Sequence, residues 1–153
     1  MKYAANVVSF IFIIMYVTSC QYMIIVDWPW NKHEESDKAI EFHHNNFLTK
    51  IESSKKHSNP VFIDFYTTWC APCKVMDRDV FTQSEVVSFL NQNFINLKVN
   101  AEKGEGKKMS RKYNVSAYPT LLFIDANGKE VGRHVGMLSV NAMTKLAKKS
   151  IKG

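Results

Sequence analysis

The sequence predicts an α/β protein, in which β-strands and amphipathic helices alternate along one domain. Two observations lead to this class: short apolar runs of strand length alternate with segments of helical periodicity, and turn-forming residues separate them. The chain has 153 residues, 46% of them hydrophobic and 22% charged, which is enough for one hydrophobic core. This composition excludes a disordered, a collagen-like and a multi-span membrane protein.

The N-terminus has the layout of a secretory signal. One basic residue, Lys2, precedes an uncharged stretch that runs from residue 3 to residue 26 and is most apolar at residues 7–17. The small residues Thr18 and Ser19 follow, as expected before a cleavage site. The predicted organisation is a signal peptide at 1–19, or a membrane anchor extending to about residue 26, then a tether at 20–36 and a domain at 37–153.

Cys20 is the candidate lipidation site. The tetrapeptide at residues 17–20 resembles the bacterial lipobox, in which the cysteine is diacylated and becomes the mature N-terminus. This interpretation is favoured, but two others stay open: residues 3–26 are long enough for the roughly 20 residues of an uncleaved transmembrane helix, and ordinary cleavage would release a secreted protein. All three predict an exported domain, in the bacterial periplasm or at the cell surface.

The domain is predicted to begin with a helix and a buried strand. Apolar residues recur at helical spacing over residues 37–55, and a polar segment ending in Pro60 stops the helix. Val61–Tyr66 is an apolar run broken only by Asp64, which is the pattern of a strand buried on both faces.

Local signals define the elements that follow. Thr82, with Glu85 three residues later, has the pattern of a capping box at the start of a helix. Residues 125–128 have the composition of a tight hairpin turn, and Ser139 can cap a final helix. The remaining predicted elements are helices at 72–80 and 107–113 and strands at 94–99, 120–124 and 129–135, with the final helix extending to residue 151.

Cys70 and Cys73 form a Cys-x-x-Cys motif at the predicted junction between a strand and a helix. In the first turn of a helix, free backbone N–H groups and the positive end of the helix dipole stabilise the thiolate of Cys70, which is the attacking species. Cys73 can then attack the sulfur that Cys70 has joined to a substrate, which releases the reduced substrate and leaves an internal disulfide. Pro72 stiffens the first turn without the loss of a hydrogen bond. The motif therefore predicts thiol:disulfide exchange.

Two other interpretations of the cysteine pair stay open. Half of a zinc site has the same spacing, but a tetrahedral site needs two more ligands, and none of the five histidines stands at finger-like spacing. A purely structural disulfide is compatible with an exported protein, although so small a loop contributes little entropic stabilisation. We therefore expect no metal, and no cofactor other than a redox-active disulfide between Cys70 and Cys73.

A set of motifs in fixed order connects the chain to a known family. They are Phe62–Tyr66, Trp69–Lys74, Tyr118–Thr120, Gly128 and Gly136. Together they closely resemble the thioredoxin superfamily over residues 37–152. Within it, residues 80–86 and the turn at 125–130 are most similar to exported thioredoxin-like domains related to the C-terminal domain of DsbD-type thiol:disulfide interchange proteins. The resemblance implies a three-layer fold, with a central mixed sheet of about four to five strands flanked by helices.

The resemblance also implies two charged residues at the catalytic site. Asp64, six positions before Cys70, matches the buried acid of the family. Its apolar neighbours should raise its pKa, and it could move the proton of Cys73 through a water molecule. Lys98 matches a lysine that approaches this acid in thioredoxins. The alternatives are a solvated strand residue for Asp64 and a plain surface charge for Lys98.

Substrate binding is implied for the residues beside the cysteines and for a distant proline. Pro119 matches the cis-proline of the family, the alternative being a trans-proline that opens a strand. Tyr118 would offer its backbone to an extended substrate segment, and Trp69 would cover the site. The implied substrate-binding set is Trp69, Ala71, Pro72, Tyr118 and Pro119.

The function expected from these features is a membrane-attached, extracytoplasmic thiol:disulfide oxidoreductase. Ala71 stands where thioredoxins usually have glycine, and neither central residue of the motif is the histidine of strongly oxidising relatives. This favours a reducing or isomerising role. The expected partners are disulfide-bearing exported proteins and a membrane or soluble thiol electron donor. The alternative is a polypeptide-binding, chaperone-like module with a structural disulfide.

Nucleic acid is not expected among the partners. The net charge is +6, but the basic residues within 107–112 lie on one short segment with a single aromatic residue, Tyr113, beside them.

Overall fold

The computed structural model describes residues 39–152, which form five strands and five helices. The strands are β1 (Phe42–His43), β2 (Val61–Tyr66), β3 (Ile95–Asn100), β4 (Thr120–Ile124) and β5 (Glu130–Val135). The helices are α1 (Phe47–His57), α2 (Ala71–Asp79), α3 (Ser84–Asn93), α4 (Gly104–Lys112) and α5 (Val140–Ile151).

The predictions for the N-terminal region, from the signal peptide to the lipidation of Cys20, lie outside the described residues. Within residues 39–152, no helix is both long enough and apolar enough to cross a membrane.

The five strands form one mixed sheet in the order β1-β3-β2-β4-β5. β1 and β2 run parallel to β3, whereas β4 runs antiparallel to both β2 and β5. The central strand β2 thus has a parallel neighbour on one side and an antiparallel neighbour on the other. The predicted α/β class and the implied mixed sheet flanked by helices are confirmed.

The helices cover both faces of the sheet, and the alternation of side chains along β2 and β4 shows how. Phe62, Leu121 and Phe123 pack with residues of α2, α3 and α5 in one apolar cluster. The intervening residues, among them Ile63 and Leu122, pack with residues of α1 and α4 in a second cluster. Because successive side chains of a strand point to opposite faces, these two cores lie on opposite sides of the sheet.

The predicted first helix is wrong in its N-terminal half. The chain first forms the short edge strand β1, in which Phe42 pairs with Asn96 and His43 with Leu97 of β3. The helix begins only at Phe47, after Asn46 has adopted a left-handed conformation with φ 54°. A strand of two residues is held by pairing with a segment far along the chain, so its local periodicity gave no signal.

The predicted capping box is also wrong. α3 begins at Ser84, its N-cap residue is Gln83, and no side chain caps it. The hydroxyl of Thr82 donates instead to the carbonyl oxygen of Arg78, 2.7 Å away, at the end of the preceding helix. A hydroxyl near two helix ends can bond to either one, and here it bonds to the earlier.

α4 begins three residues before the predicted start, and glycine explains the difference. Gly104 and Gly106 have low helix propensity, which disfavoured this turn in the sequence. A Cβ atom on Gly106 would lie 1.9 Å from the carbonyl oxygen of Asn100, so only glycine allows α4 to pack this closely against the end of β3.

The predicted hairpin and final cap are confirmed. The N–H of Asp125 donates to the carbonyl oxygen of Lys129 at 2.8 Å, and Gly128 adopts φ 82° within the turn. The hydroxyl oxygen of Ser139 accepts the N–H of Ala142 at the start of α5.

Candidate active site

The cysteine pair lies where β2 gives way to α2. Cys70 is the N-cap residue of α2, in an extended conformation, and its N–H donates to the carbonyl oxygen of Thr67 at 3.3 Å. Its Sγ atom is bonded to that of Cys73 and accepts the N–H of Cys73 at 3.1 Å. The predicted strand-to-helix junction is confirmed, and the sulfur of Cys70 lies at the positive end of the α2 dipole.

The disulfide is buried beneath an exposed rim. Cys70 and Cys73 are 2% and 1% exposed, whereas the neighbouring Trp69 is 65% exposed. Ala71 and Pro72 are also exposed. A partner that reaches the sulfur of Cys70 must therefore approach a surface that includes these neighbouring residues.

Two contacts hold the exposed Trp69 in position. Its Nε1–H donates to Oε1 of Glu102 at 3.0 Å. Its ring meets that of Tyr118 edge to face, with the ring centroids 6.1 Å apart. Trp69 thus connects the cysteine loop with the segment after β3 and with the loop before β4. Glu102 was not among the predicted site residues, because the contact spans 33 residues of sequence.

The peptide bond between Tyr118 and Pro119 is cis, as the family resemblance implies. The carbonyl oxygen of Pro119 accepts the N–H of Gly136 at 2.8 Å, which brings the end of β5 beside the proline loop. Val135 and Met137 flank this glycine, and each is 50% exposed. Neither residue has a local sequence signal, because only the pairing of β5 with β4 brings them to this loop.

Asp64 and Lys98 lie side by side on neighbouring parallel strands. They are register partners between β2 and β3, and Nζ of Lys98 donates to Oδ2 of Asp64 at 2.5 Å. Lys98 also donates to Oδ1 of Asp77, a residue of α2 that is not among the predicted site residues. Both Asp64 and Lys98 are buried, so neither is the solvated surface residue that had remained an alternative.

Burial and the neighbouring charges together set the pKa values of this pair. Burial raises the pKa of Asp64, and the attraction of Lys98 offsets part of that rise. Burial alone would lower the pKa of Lys98, but the carboxylates of Asp64 and Asp77 outweigh it, so the pKa of Lys98 is raised. Lys98 therefore keeps its charge, and Asp64 is the group of the two that can exchange a proton. The second oxygen of Asp64, Oδ1, has no hydrogen-bond partner among the described residues.

The structure divides the predicted site residues into two groups. Trp69 adjoins the Cys70–Cys73 disulfide in the chain and contacts Tyr118. Asp64 and Lys98 form a buried ion pair that reaches α2 through Asp77. Residues 39–152 contain no group of three or more side chains suited to hold a metal ion.

Comparison with known proteins finds a thioredoxin-like domain model and thiol:disulfide interchange proteins among the matches. Residues 47–151 match the family model of the thioredoxin-like domain. The chain is 31% identical over 111 residues to the thiol:disulfide interchange protein DsbD of Photorhabdus laumondii, covering 69% of this chain and 19% of that protein. It is 29% identical over 110 residues to DsbD of Yersinia pestis, covering 69% and 18%. The chain thus spans about a fifth of the length of these curated relatives.

Solved structures show the same fold. The solution structure of a protein assigned as a disulphide-isomerase from Bacteroides thetaiotaomicron is 38% identical and superposes with a TM-score of 0.65, covering 76% of this chain and 96% of that one. The oxidised C-terminal domain of DsbD from Neisseria meningitidis is 20% identical, with a TM-score of 0.59 and coverage of 71% and 98%. At that identity the likeness shows the fold alone.

Proposed function

Since the chain belongs to the thioredoxin-like domain family and has a domain of the thiol:disulfide oxidoreductase type, we propose that it reduces disulfides in exported proteins, or relays electrons to them, while attached to a membrane. The observation that carries this proposal is the disulfide at the start of α2, where Sγ of Cys70 faces the N–H of Cys73. That donor and the helix dipole would stabilise a thiolate at Cys70 once the disulfide is reduced.

The reaction begins from the reduced pair. The Cys70 thiolate attacks one sulfur of a substrate disulfide, that disulfide breaks, and the first substrate thiolate leaves and takes a proton. Cys73 then loses its proton and attacks Sγ of Cys70, which breaks the mixed disulfide and releases the second substrate thiolate. Two electrons have passed to the substrate, and the structure shows the resulting disulfide between Cys70 and Cys73.

We expect Asp64 to take the proton of Cys73. By strand alternation Asp64 shares the face of β2 with Phe62, which packs with residues of α2, the helix that carries Cys73. A carboxyl with a raised pKa holds and releases a proton nearer to neutral pH than an exposed one does. Lys98 donates to one oxygen of Asp64, and the other oxygen is buried without a hydrogen-bond partner among the described residues, so we expect it to bond to the water molecule that carries the proton.

Substrate polypeptide is proposed to bind along the exposed rim of the site. The expected binding residues are Trp69, Ala71, Pro72, Tyr118 and Pro119, of which Tyr118 is half-buried and Pro119 buried. The exposed side chains of Val135 and Met137 extend this surface beside the proline loop. These side chains are mostly apolar, so the surface suits extended segments with apolar residues next to the cysteine.

Insulin reduction by the full chain tests the proposal. The wild-type protein should reduce insulin with dithiothreitol as electron donor, and Cys70→Ser should lower turnover to the background rate because the attacking sulfur is gone. Cys20→Ser is the matched control and should keep the wild-type rate, since that cysteine takes no part in the exchange. Full turnover by Cys70→Ser would overturn the proposal in favour of a polypeptide-binding module with a structural disulfide.

The reducing direction is proposed from the two residues between the cysteines. Neither Ala71 nor Pro72 adds a cation that would further stabilise the thiolate, so a moderate potential is expected. Equilibration of the pair with glutathione should give a value near that of thioredoxin, about −270 mV. A value near the roughly −120 mV of DsbA would identify an oxidant instead.

Membrane attachment is proposed through a lipid on Cys20, in an exported, periplasmic or surface-exposed protein. The support is the lipobox-like tetrapeptide at residues 17–20. The intact mass of the mature protein should correspond to a chain that begins at a diacylated Cys20. The unmodified mass of the whole chain would indicate an uncleaved anchor, and an unmodified shortened chain a secreted protein.

A further inference from the structure

The ammonium group of Lys98 bonds to two carboxylates rather than one. Asp64 and Asp77 both accept hydrogen bonds from its Nζ atom. The environments of the two acids differ: the side chain of Asp64 is 1% exposed, whereas that of Asp77 is 44% exposed. One buried positive charge is therefore shared between a buried acid and an acid that contacts solvent.

Helical spacing explains how Asp77 reaches this buried group. It lies four residues after Cys73 on α2, so the two side chains share one face of the helix. Lys98 lies on the sheet face that α2 covers, because its neighbours Leu97 and Val99 pack into the core on the opposite face. Asp77 thus bridges the helix that carries Cys73 and the strand that carries Lys98.

Aromatic rings complete the surroundings of Lys98. Its Nζ atom lies 5.3 Å from the ring centroid of Phe42 in β1, 5.0 Å from that of Tyr66 in β2 and 5.2 Å from that of Phe81, which follows α2. The charged or titratable groups in contact with Nζ of Lys98 are Asp64, Asp77 and the Tyr66 ring. Lys98 also lines a cavity that is bordered by His44, Lys103 and Glu105. The rings hold the ammonium group in place, and the two carboxylates compete for its charge.

We propose that Asp77 is a positioning residue of the dithiol site: it draws part of the charge of Lys98 away from Asp64 and so keeps Asp64 able to accept the proton of Cys73. This inference rests on the proposed dithiol chemistry. In the step concerned, the S–H bond of Cys73 breaks, an O–H bond forms on Asp64, and the Cys73 thiolate attacks Sγ of Cys70. Asp64 afterwards releases the proton to water.

Charge balance gives the direction of the effect. With both acids ionised, the three side chains carry a net charge of −1, and a proton on Asp64 removes that excess. Without the Asp77 carboxylate, Lys98 would neutralise Asp64 alone, and Asp64 would bind a proton less readily. Burial is the largest cause of the raised pKa of Asp64, and the negative charge of Asp77 acts in the same direction.

Titration of Asp64 itself tests the inference. The full chain, labelled with ¹³C at aspartate carboxyls, is titrated by NMR, and Asp64→Asn identifies the signal of interest. Asp77→Asn should move the Asp64 midpoint to lower pH, and Asp77→Ala, a second variant should the first not fold, should move it in the same direction. Asp79→Asn is the matched control, because Asp79 is an exposed acid of α2 paired with Arg78, and it should leave the midpoint in place.

A second readout separates a positioning role from a merely structural one. The insulin-reduction rate is measured as a function of pH. The acid limb of this profile should shift to lower pH in Asp77→Asn, and Asp77→Glu, which restores the carboxylate, should return it toward the wild-type profile. An Asp64 midpoint that is the same in wild type, Asp77→Asn and Asp77→Ala would overturn the inference. The titration does not depend on turnover, so a failure of the proposed function, shown by an active Cys70→Ser, remains distinguishable from a failure of this inference.

Discussion

At the scale of single residues, Asp64 makes the stability of the domain depend on pH. Burial raises its pKa in the folded state, with Lys98 opposing part of the rise, above the value of about 3.9 for a free aspartate. Its protonated form is therefore favoured by folding. This contribution is complete below the unfolded pKa and is lost as the pH rises through the raised, folded one.

Asp64→Asn removes that dependence, since asparagine cannot ionise. Urea denaturation at a series of pH values gives the free energy of unfolding of each protein. The value for Asp64→Asn should increase relative to that of the wild type as the pH rises from acid toward neutral. Asp125→Asn should show the opposite trend, because the backbone N–H of Lys129 lowers the pKa of Asp125 and its contribution is lost as the pH falls. Parallel stability curves for wild type and Asp64→Asn would contradict the raised pKa.

The cysteine pair, Asp64 and Pro119 could be predicted as site residues from the sequence, because each stands within a short motif. For Lys98 the sequence did not decide between a partner of the buried acid and a plain surface charge, since its burial depends on the register of β3 with β2. Asp77 and Glu102 carry no local signal. Their contacts with Lys98 and Trp69 span 21 and 33 residues, so only the assembled fold brings them to the site.

At the scale of elements, the cap at Ser139 should contribute measurably to the stability of α5. Its hydroxyl oxygen accepts the N–H of Ala142, one of the four backbone donors left free at a helix start. Ser139→Ala should lower the free energy of unfolding by about 0.5–2 kcal/mol. Thr82→Ala is the comparison: Thr82 resembles a cap in the sequence but caps no helix, so its loss should cost less. Equal costs in urea denaturation would refute the distinction.

Gly106 should be required for the packing of α4 on the sheet. Gly106→Ala places a Cβ atom against the carbonyl oxygen of Asn100, which is backbone and cannot rotate away. Overpacking of this kind costs about 1–3 kcal/mol. The neighbouring exposed Lys107→Ala should stay within about 0.5 kcal/mol of wild type. A Gly106→Ala protein as stable as Lys107→Ala would show that α4 can move aside without cost.

Most elements could be predicted because their signals are local: the apolar run of β2, the turn at 125–128 and the cap of α5. Two of the three differences from prediction have one origin. The short strand β1 exists through its pairing with β3, and Thr82 bonds to the helix before it rather than to the helix after it. In both cases the partner, and not the local pattern, decides the structure.

At the scale of the whole molecule, the sheet brings three loops together, and the Trp69–Tyr118 contact joins the cysteine loop to the proline loop. The loop after β2 carries the cysteines, the loop before β4 carries Pro119, and the residues after β5 bond to that proline. Alternating elements predicted the α/β class, but the strand order β1-β3-β2-β4-β5 depends on nonlocal pairing. Because apolar cores pack on both of its faces, the sheet forms a rigid scaffold that positions these loops.

The central claim is that Cys70 attacks a substrate disulfide and Cys73 resolves the product. The most direct measurement is the intact mass of covalent adducts formed with a disulfide-bearing protein such as insulin, in a Cys20→Ser background so that only the active-site cysteines can react. Cys73→Ser should accumulate a mixed disulfide through Cys70, which dithiothreitol releases, whereas Cys70→Ser should accumulate little. An adduct that forms equally in the two variants, or in neither, would contradict the account.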